Sequence, residues 1–246
     1  MDKQSQMRDL ISDMSKDLDS IKIFKTKKSQ KVDLSLINQF AKLDHIPNKW
    51  FDWVRSANAQ RVIIGQDWGP FSVLKDITSD FDPSRADEKE YYHDFLFKDF
   101  SSRTEKFIFK ALNETYEAAH NRKVSPEEWE DIMFTMAVLF TRQGDKFRGT
   151  DNFAPKESAQ ISYPYFKRQL DIVSPTTVMC LGGMAMDCAN QYYQLGLDGM
   201  KITHIVEESR PKGYFEKDGV RIIPNFHPAA HVPPSEMMKQ WELFWG

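Results

Sequence analysis

The chain has 246 residues, 41% of them hydrophobic, and a formal net charge of -3. That is enough apolar material for the core of one α/β domain with additions, and the charge excludes a globally basic nucleic-acid binder, so any contact with phosphates has to come from a local patch. No apolar run reaches membrane-span length, the first residues are Asp-, Lys- and Ser-rich, and Cys180 and Cys188 are the only cysteines, which predicts a cytoplasmic protein without a disulfide framework or a four-cysteine iron-sulfur cluster.

From Asp2 to Ile23, the residues Met7, Leu10, Ile11, Met14, Leu18 and Ile21 recur at spacings of three and four, the stripe of an amphipathic helix. That stripe needs a partner, either the body of the same chain or another subunit. Lysines at 22, 25, 27, 28 and 31 follow among polar residues, a pattern open to a solvated linker or to a grip on a phosphate backbone. Leu34, Ile37, Phe40, Ala41 and Leu43 predict a second helix, with Pro47 at or just past its end. Residues 1–50 read as a helical extension packed on a single domain spanning 1–246. Trp50, Phe51 and Trp53 then lead into the first strand, as packing or as stacking platforms.

Arg61-Val62-Ile63-Ile64-Gly65-Gln66-Asp67-Trp68-Gly69-Pro70 begins with three consecutive β-branched residues, a short buried strand that Gly65 ends. Gln66, Asp67 and Trp68 then stand on a loop at the strand's carboxyl end, where open α/β sheets place their ligands. Two roles are open to Asp67: capping a following helix, or chemistry. Phe71 to Phe100 is acidic and reads as a surface excursion or a lid. Phe100-Ser101-Ser102-Arg103-Thr104 precedes a helix striped by Phe107, Ile108, Ala111, Leu112 and Tyr116.

Ile132 to Phe140 is apolar at successive positions and predicts a buried central strand. Tyr165, Phe166, Leu170, Ile172 and Val173 mark a helix that Pro175 breaks, and Thr177 to Leu181 predicts a further strand. Gly182-Gly183 turns the chain into a helix from Met184 to Tyr193; backbone amides there could hold a phosphate, or the glycines could serve tight strand-helix packing. Cys180 and Cys188 suit small apolar packing. Val220-Arg221-Ile222-Ile223-Pro224-Asn225-Phe226-His227-Pro228-Ala229-Ala230-His231 repeats the pattern of the first motif, a short apolar strand running into a polar loop that offers an imidazole stiffened by Pro228. Trp241, Leu243, Phe244 and Trp245 predict a terminal docking helix.

Alternating strands and helices argue for a doubly wound, mostly parallel sheet with helices on both faces, a three-layer α/β/α arrangement. There is no Gly-x-Gly-x-x-Gly, no Walker pattern and no metal-binding cluster of His, Glu or Cys, so no cofactor or metal is predicted.

Gly65-Gln66-Asp67-Trp68-Gly69 and His227-Pro228-Ala229-Ala230 together resemble the uracil-DNA glycosylase superfamily, whose first motif reads G-Q-D-P-Y or G-E-x-P-G and whose last reads H-P-S-P or H-P-S-A. The likeness extends from about Arg61 to the C-terminus and lacks the cysteines of the cluster-bearing members. It implies a hydrolase that cleaves the N-glycosidic bond of uracil or another altered base in single- or double-stranded DNA, acting in base excision repair as a monomer. By the same resemblance Asp67 and His227 are catalytic; Gly65, Gln66, Trp68, Phe100 and Met136 are substrate-binding; Gly182, Gly183, Pro228, Ala229 and His231 touch DNA. Phe100 matches the phenylalanine that stacks on an extruded base, and an ordinary core role is equally open to it. His231 stands near a wedge position and also suits a plain surface role. The departure is Met136, which stands where the family reads uracil with asparagine, because a thioether lacks the paired donor and acceptor of an amide. Three functions are therefore expected to compete: a DNA glycosylase, a glycosylase-like binding module without turnover, and a hydrolase of free nucleosides.

Overall fold

The computed structural model describes residues 1–18, 32–33, 53–66, 82–85, 88, 91, 103–139, 141–142 and 155–246. The expected basic run at 22–31, the second helix at 34–43, Trp50, Phe51, most of the acidic excursion, and Asp67, Trp68 and Phe100 lie outside those residues. Among the described residues the fold is mixed α/β, with a five-stranded sheet and seven α-helices. None of these helices is long and apolar enough to cross a membrane. The chain divides into two compact units, one of residues 1–58, 66–99 and 134–173, the other of 59–65, 100–133 and 174–246.

In the first unit, helix α1 (Lys3–Leu18) is the predicted amphipathic helix, and Met7, Leu10, Ile11 and Met14 are all buried. Asp2 starts it by accepting the Ser5 backbone N–H at 2.8 Å, which satisfies one orphan donor of the first turn. The stripe packs on helix α4 (Pro155–Val173) and on a 3-10 turn at Arg55–Asn58. Polar ties surround that seam: Lys3 Nζ donates to Val173 O at 2.6 Å, Arg168 Nη2 to Asp13 Oδ2 at 2.9 Å, and the Tyr165 hydroxyl to Asp17 Oδ2 at 2.7 Å. Burial and the Asp17 carboxylate push the Tyr165 phenol up to about 12. Strands β1 (Val32–Asp33) and β4 (Thr141–Arg142) form a separate antiparallel pair.

The five-stranded sheet runs in the order β3 (Ile132–Met136), β2 (Arg61–Gly65), β5 (Thr177–Leu181), β7 (Val220–Asn225), β6 (Phe215–Lys217). Strands β2, β5 and β7 are parallel and in step, Ile64 opposite Cys180 and Cys180 opposite Pro224. Val62, Ile63, Ile64, Val178, Met179, Cys180, Ile222 and Ile223 are fully buried, which is why these strands read as unbroken apolar runs instead of alternating ones. Pro224 is tolerated inside β7 because its missing N–H lies on the β6 side beyond Phe215, where β6 has not yet begun. Strand β6 is the antiparallel exception. It joins β7 through Asp218-Gly219, both at positive φ (51° and 77°), the backbone of a two-residue hairpin.

Strand β3 corrects an expectation. It is buried at every position, as predicted, yet among the described residues it stands at the end of the sheet and stops at Met136 instead of reaching Phe140. Asp131 O accepts from Arg61 N on the β2 side, so Phe134 O points to the outer edge, where the Trp53 indole N–H donates to it at 3.2 Å. Covering the edge with packed side chains lets a terminal strand look central in sequence.

The second unit is closed by helix α2 (Arg103–His120) packing on helix α7 (Pro234–Glu242). The predicted terminal helix stops at Glu242, and Leu243 to Trp245 follow as a tail. The Trp245 indole donates to Leu112 O and Thr115 Oγ1, both at 3.2 Å. Arg61, at the start of β2, pairs with Asp131, donates through Nε to Phe244 O at 3.2 Å and stacks 5.4 Å from the Trp245 ring. Helix α3 (Pro126–Glu130) went unpredicted although Ser125-x-x-Glu128 is a capping box with Pro126 behind it.

Glu128 also holds Arg122 and the Tyr116 hydroxyl. The Arg122 hydrogen bond, opposed by burial and aided by Tyr116 and Ser125, brings its carboxyl down to about 2 from an ordinary 4.5. A carboxyl depressed on folding stabilises the protein fully above its unfolded value and loses that contribution as pH falls toward the folded one. Glu128→Gln is therefore expected to cost roughly 1 kcal/mol above pH ~5, measured by urea unfolding, with the difference from wild type vanishing near pH ~2.

Candidate functional site

Three parallel strands, β2, β5 and β7, end on the same side of the sheet, where Gln66, Gly182 and Phe226-His227 follow them. Helix α5 (Gly183–Tyr193) follows β5 after the single residue Gly182, and β7 leads straight through Phe226 to His227. In the sheet, β3 flanks β2 on one side while β7 follows β5 on the other, so the strand order reverses between β2 and β5. Such a reversal opens a crevice at the carboxyl ends of an α/β sheet.

His227 is half-buried and held by its own turn. Pro228 follows it, Ala230 N donates to His227 O at 2.8 Å, and Ala229 N donates to the ring Nδ1 at 3.1 Å. Proline presets the second position of that turn. Since Nδ1 accepts a backbone N–H, the hydrogen-bond pattern assigns the proton of the neutral ring to Nε2. With Nδ1 so engaged, Nε2 is the ring's hydrogen-bond donor.

Gly182 lies against that histidine. Its φ of 93° and ψ of 174° are strained for an L side chain, and a Cβ there would come within 3.2 Å of His227 Cβ. The glycine thus serves a close backbone approach as well as the turn into α5. Gly182 N donates to Asn225 O at 2.8 Å, so its own amide is spent on β7. Gly183 is half-buried with open space where a Cβ would go.

Asn225, quoted in the sequence without a role, is the polar residue that sequence reasoning missed. It is fully buried; Oδ1 accepts from Phe226 N at 2.8 Å, and Nδ2 donates to Met237 O of α7 at 3.2 Å. An amide following the apolar run Ile222-Ile223-Pro224 was the available signal, since a buried polar group must find partners. Phe226 anchors the next step of the chain, packing with Val206 of helix α6 (Ile202–Glu208) and Met237, against Phe107, Ile202 and Val232.

The structure thus brings together Gly182, His227, Pro228 and Ala229. Pro228 is buried under the turn, while Ala229 and His231 are exposed. Gly65 is buried at the end of β2, and Gln66 accepts through its backbone O from Val138 N at 3.0 Å. Met136 is buried as the last residue of β3. Asp67, Trp68 and Phe100 lie outside the described residues.

No three His, Cys, Asp or Glu side chains among the described residues come together as a metal site. Cys180 and Cys188, on the strand and helix that flank Gly182, are free and buried. Burial pushes both thiols up, Cys188 to about 12, so neither supplies a thiolate at neutral pH. A thiol-reactive dye at pH 8 is expected to label neither cysteine in the folded protein and both after denaturation.

No protein-family model matches the chain, and no curated protein is significantly similar to it, so what it does has to be argued from its own side chains and their geometry.

Proposed function

We propose that the protein is a monomeric, cytoplasmic DNA glycosylase of the uracil-DNA glycosylase type, with a three-layer α/β/α fold, that hydrolyses the N-glycosidic bond of uracil or another altered base. The observation that carries this is the His227 imidazole, locked by Ala229 N–H as an Nε2–H donor at the carboxyl end of a central parallel strand. The order of the elements supports it. The chain leaves β2 at Gly65 on the same sheet edge, two residues before Asp67, with β5 between β2 and β7. Neighbouring strands are spaced about 4.8 Å apart, so the two strand ends are separated by roughly 10 Å, the scale of a sugar with its attacking water.

In the proposed reaction the C1′–N bond breaks with its electron pair leaving on the base. His227 Nε2–H donates a hydrogen bond to the base oxygen on which that negative charge gathers. The Asp67 carboxylate stabilises the oxocarbenium-like sugar and orients a water that attacks C1′. The proton released by the water neutralises the departing base. The nucleotide is taken from a single strand or flipped from a duplex, its base lying against Phe100, with Trp68 as a pocket wall and Gln66 and Gly65 lining the approach. Backbone at Gly182, Gly183, Pro228 and Ala229, with the His231 side chain, would lie along the DNA.

Met136 favours a second reading. A site that hydrogen-bonds one base edge discriminates by as much as ~10⁴ to 10⁵, and a thioether forgoes that bond, so the fold could hold nucleic acid or a protein without efficient uracil release.

Oligonucleotides carrying a panel of altered bases test the proposal. Wild type should leave abasic sites with at least one of them. His227→Ala should slow single-turnover cleavage by about 10²- to 10³-fold, and Asp67→Ala should abolish it. Binding without abasic product across the whole panel would select the second reading, and release of base from free nucleosides alone would point to a nucleoside hydrolase.

A further inference from the structure

We infer that Asn225 is a positioning residue for His227, its buried carboxamide fixing the path along which β7 delivers the imidazole. Three bonds converge on it. Gly182 N donates to its backbone O at 2.8 Å, Phe226 N to its Oδ1 at 2.8 Å, and its Nδ2 donates to Met237 O at 3.2 Å. These tie the end of β7 to the α5 turn on one side and to α7 on the other. The residue next in line, Phe226, fills the apolar cluster with Val206 and Met237. The chain is thus held by hydrogen bonds and packing up to the residue before His227.

The consequence reaches the ring. The Gly182 backbone is held by Asn225 O and stands where its Cβ, if it had one, would be 3.2 Å from His227 Cβ. This wall and the His227–Ala230 turn confine the imidazole to the place where Nδ1 meets Ala229 N–H. Loss of the Asn225 amide leaves a buried donor at Phe226 without its partner and cuts the tie from β7 to Met237 O of α7. The strand end then relaxes, the ring leaves Ala229, and the proton is no longer confined to Nε2. The catalytic meaning of this rests on the glycosylase reading; the effect on the ring does not.

The test uses the full chain labelled with ¹⁵N, with long-range nitrogen–proton correlation of the His227 ring. Wild type should show an unprotonated Nδ1 and a protonated Nε2. In Asn225→Ala the two nitrogen shifts should move toward each other as the tautomers mix, and kcat should fall about tenfold or more with KM changed by less than about twofold. Asn225→Ser, which keeps a hydroxyl able to accept from Phe226 N–H, should lie between the two and serves where the alanine variant does not fold. Gly182→Ala should disturb the same ring signals from the opposite side.

A ring signature identical to wild type in a folded Asn225 variant, with only a lower melting temperature, would overturn the inference and leave Asn225 a plain structural residue. Were wild type to release no base at all, the glycosylase reading would fail while the nitrogen spectra still decided the role of Asn225.

Discussion

The Gly182 backbone packs so closely on His227 that a Cβ there would stand 3.2 Å from the histidine's own, and much of the second unit follows from that contact. The residue after β5 and the residue two past β7 can meet only because the two strands run parallel and in step, Leu181 opposite Asn225. A one-residue slip would reverse every side chain in β7 and turn the His227 loop away. Register is fixed by the fully buried Val178, Met179, Ile222 and Ile223, so the apolar core and the polar tip are one specification. The absence of a side chain at Gly182 is what the geometry then demands.

Beyond that contact the sheet edge is stiffened by groups that do no chemistry. Asn225 spends its whole amide on neighbouring backbone, Phe226 plugs an apolar cluster, and Pro228 narrows the turn. At the opposite end of β2, Arg61 gathers Asp131 and the C-terminal Phe244 and Trp245. Sites held on strand ends inherit the rigidity of the core beneath them, which is what a hydrogen-bond donor needs if it is to stand ready for charge that appears only in a transition state.

Much of this was legible before any coordinates, and the reasons are local. Arg61–Gly65, Thr177–Leu181 and Val220–Asn225 each carry a run of consecutive apolar residues bounded by glycine, proline or polar residues, so the presence of these strands was plain. The stripe of α1 was equally plain, from Met7, Leu10, Ile11 and Met14. The place of β3, last in the sheet among the described residues, was not, because burial under side chains such as Trp53 leaves the same apolar record as burial between two strands. The Asp218-Gly219 hairpin and the Ser125 capping box carry local signals of their own, a positive-φ pair and a Ser-x-x-Glu spacing. The role of Asn225 depends on Gly182 and Met237, distant in sequence, and no spacing rule reaches across that gap. His227 could be singled out from its motif, but the state of its ring depended on one backbone N–H.

The central claim is that the chain ends of β2 and β7 serve one nucleotide. A crystal structure with an oligonucleotide containing a 2′-fluoro-deoxyuridine, which resists cleavage, tests it most directly. The account predicts an extruded nucleoside with the Asp67 carboxylate beside its sugar and His227 Nε2 within hydrogen-bond distance of a base oxygen. A bound nucleoside that touches neither residue would contradict it.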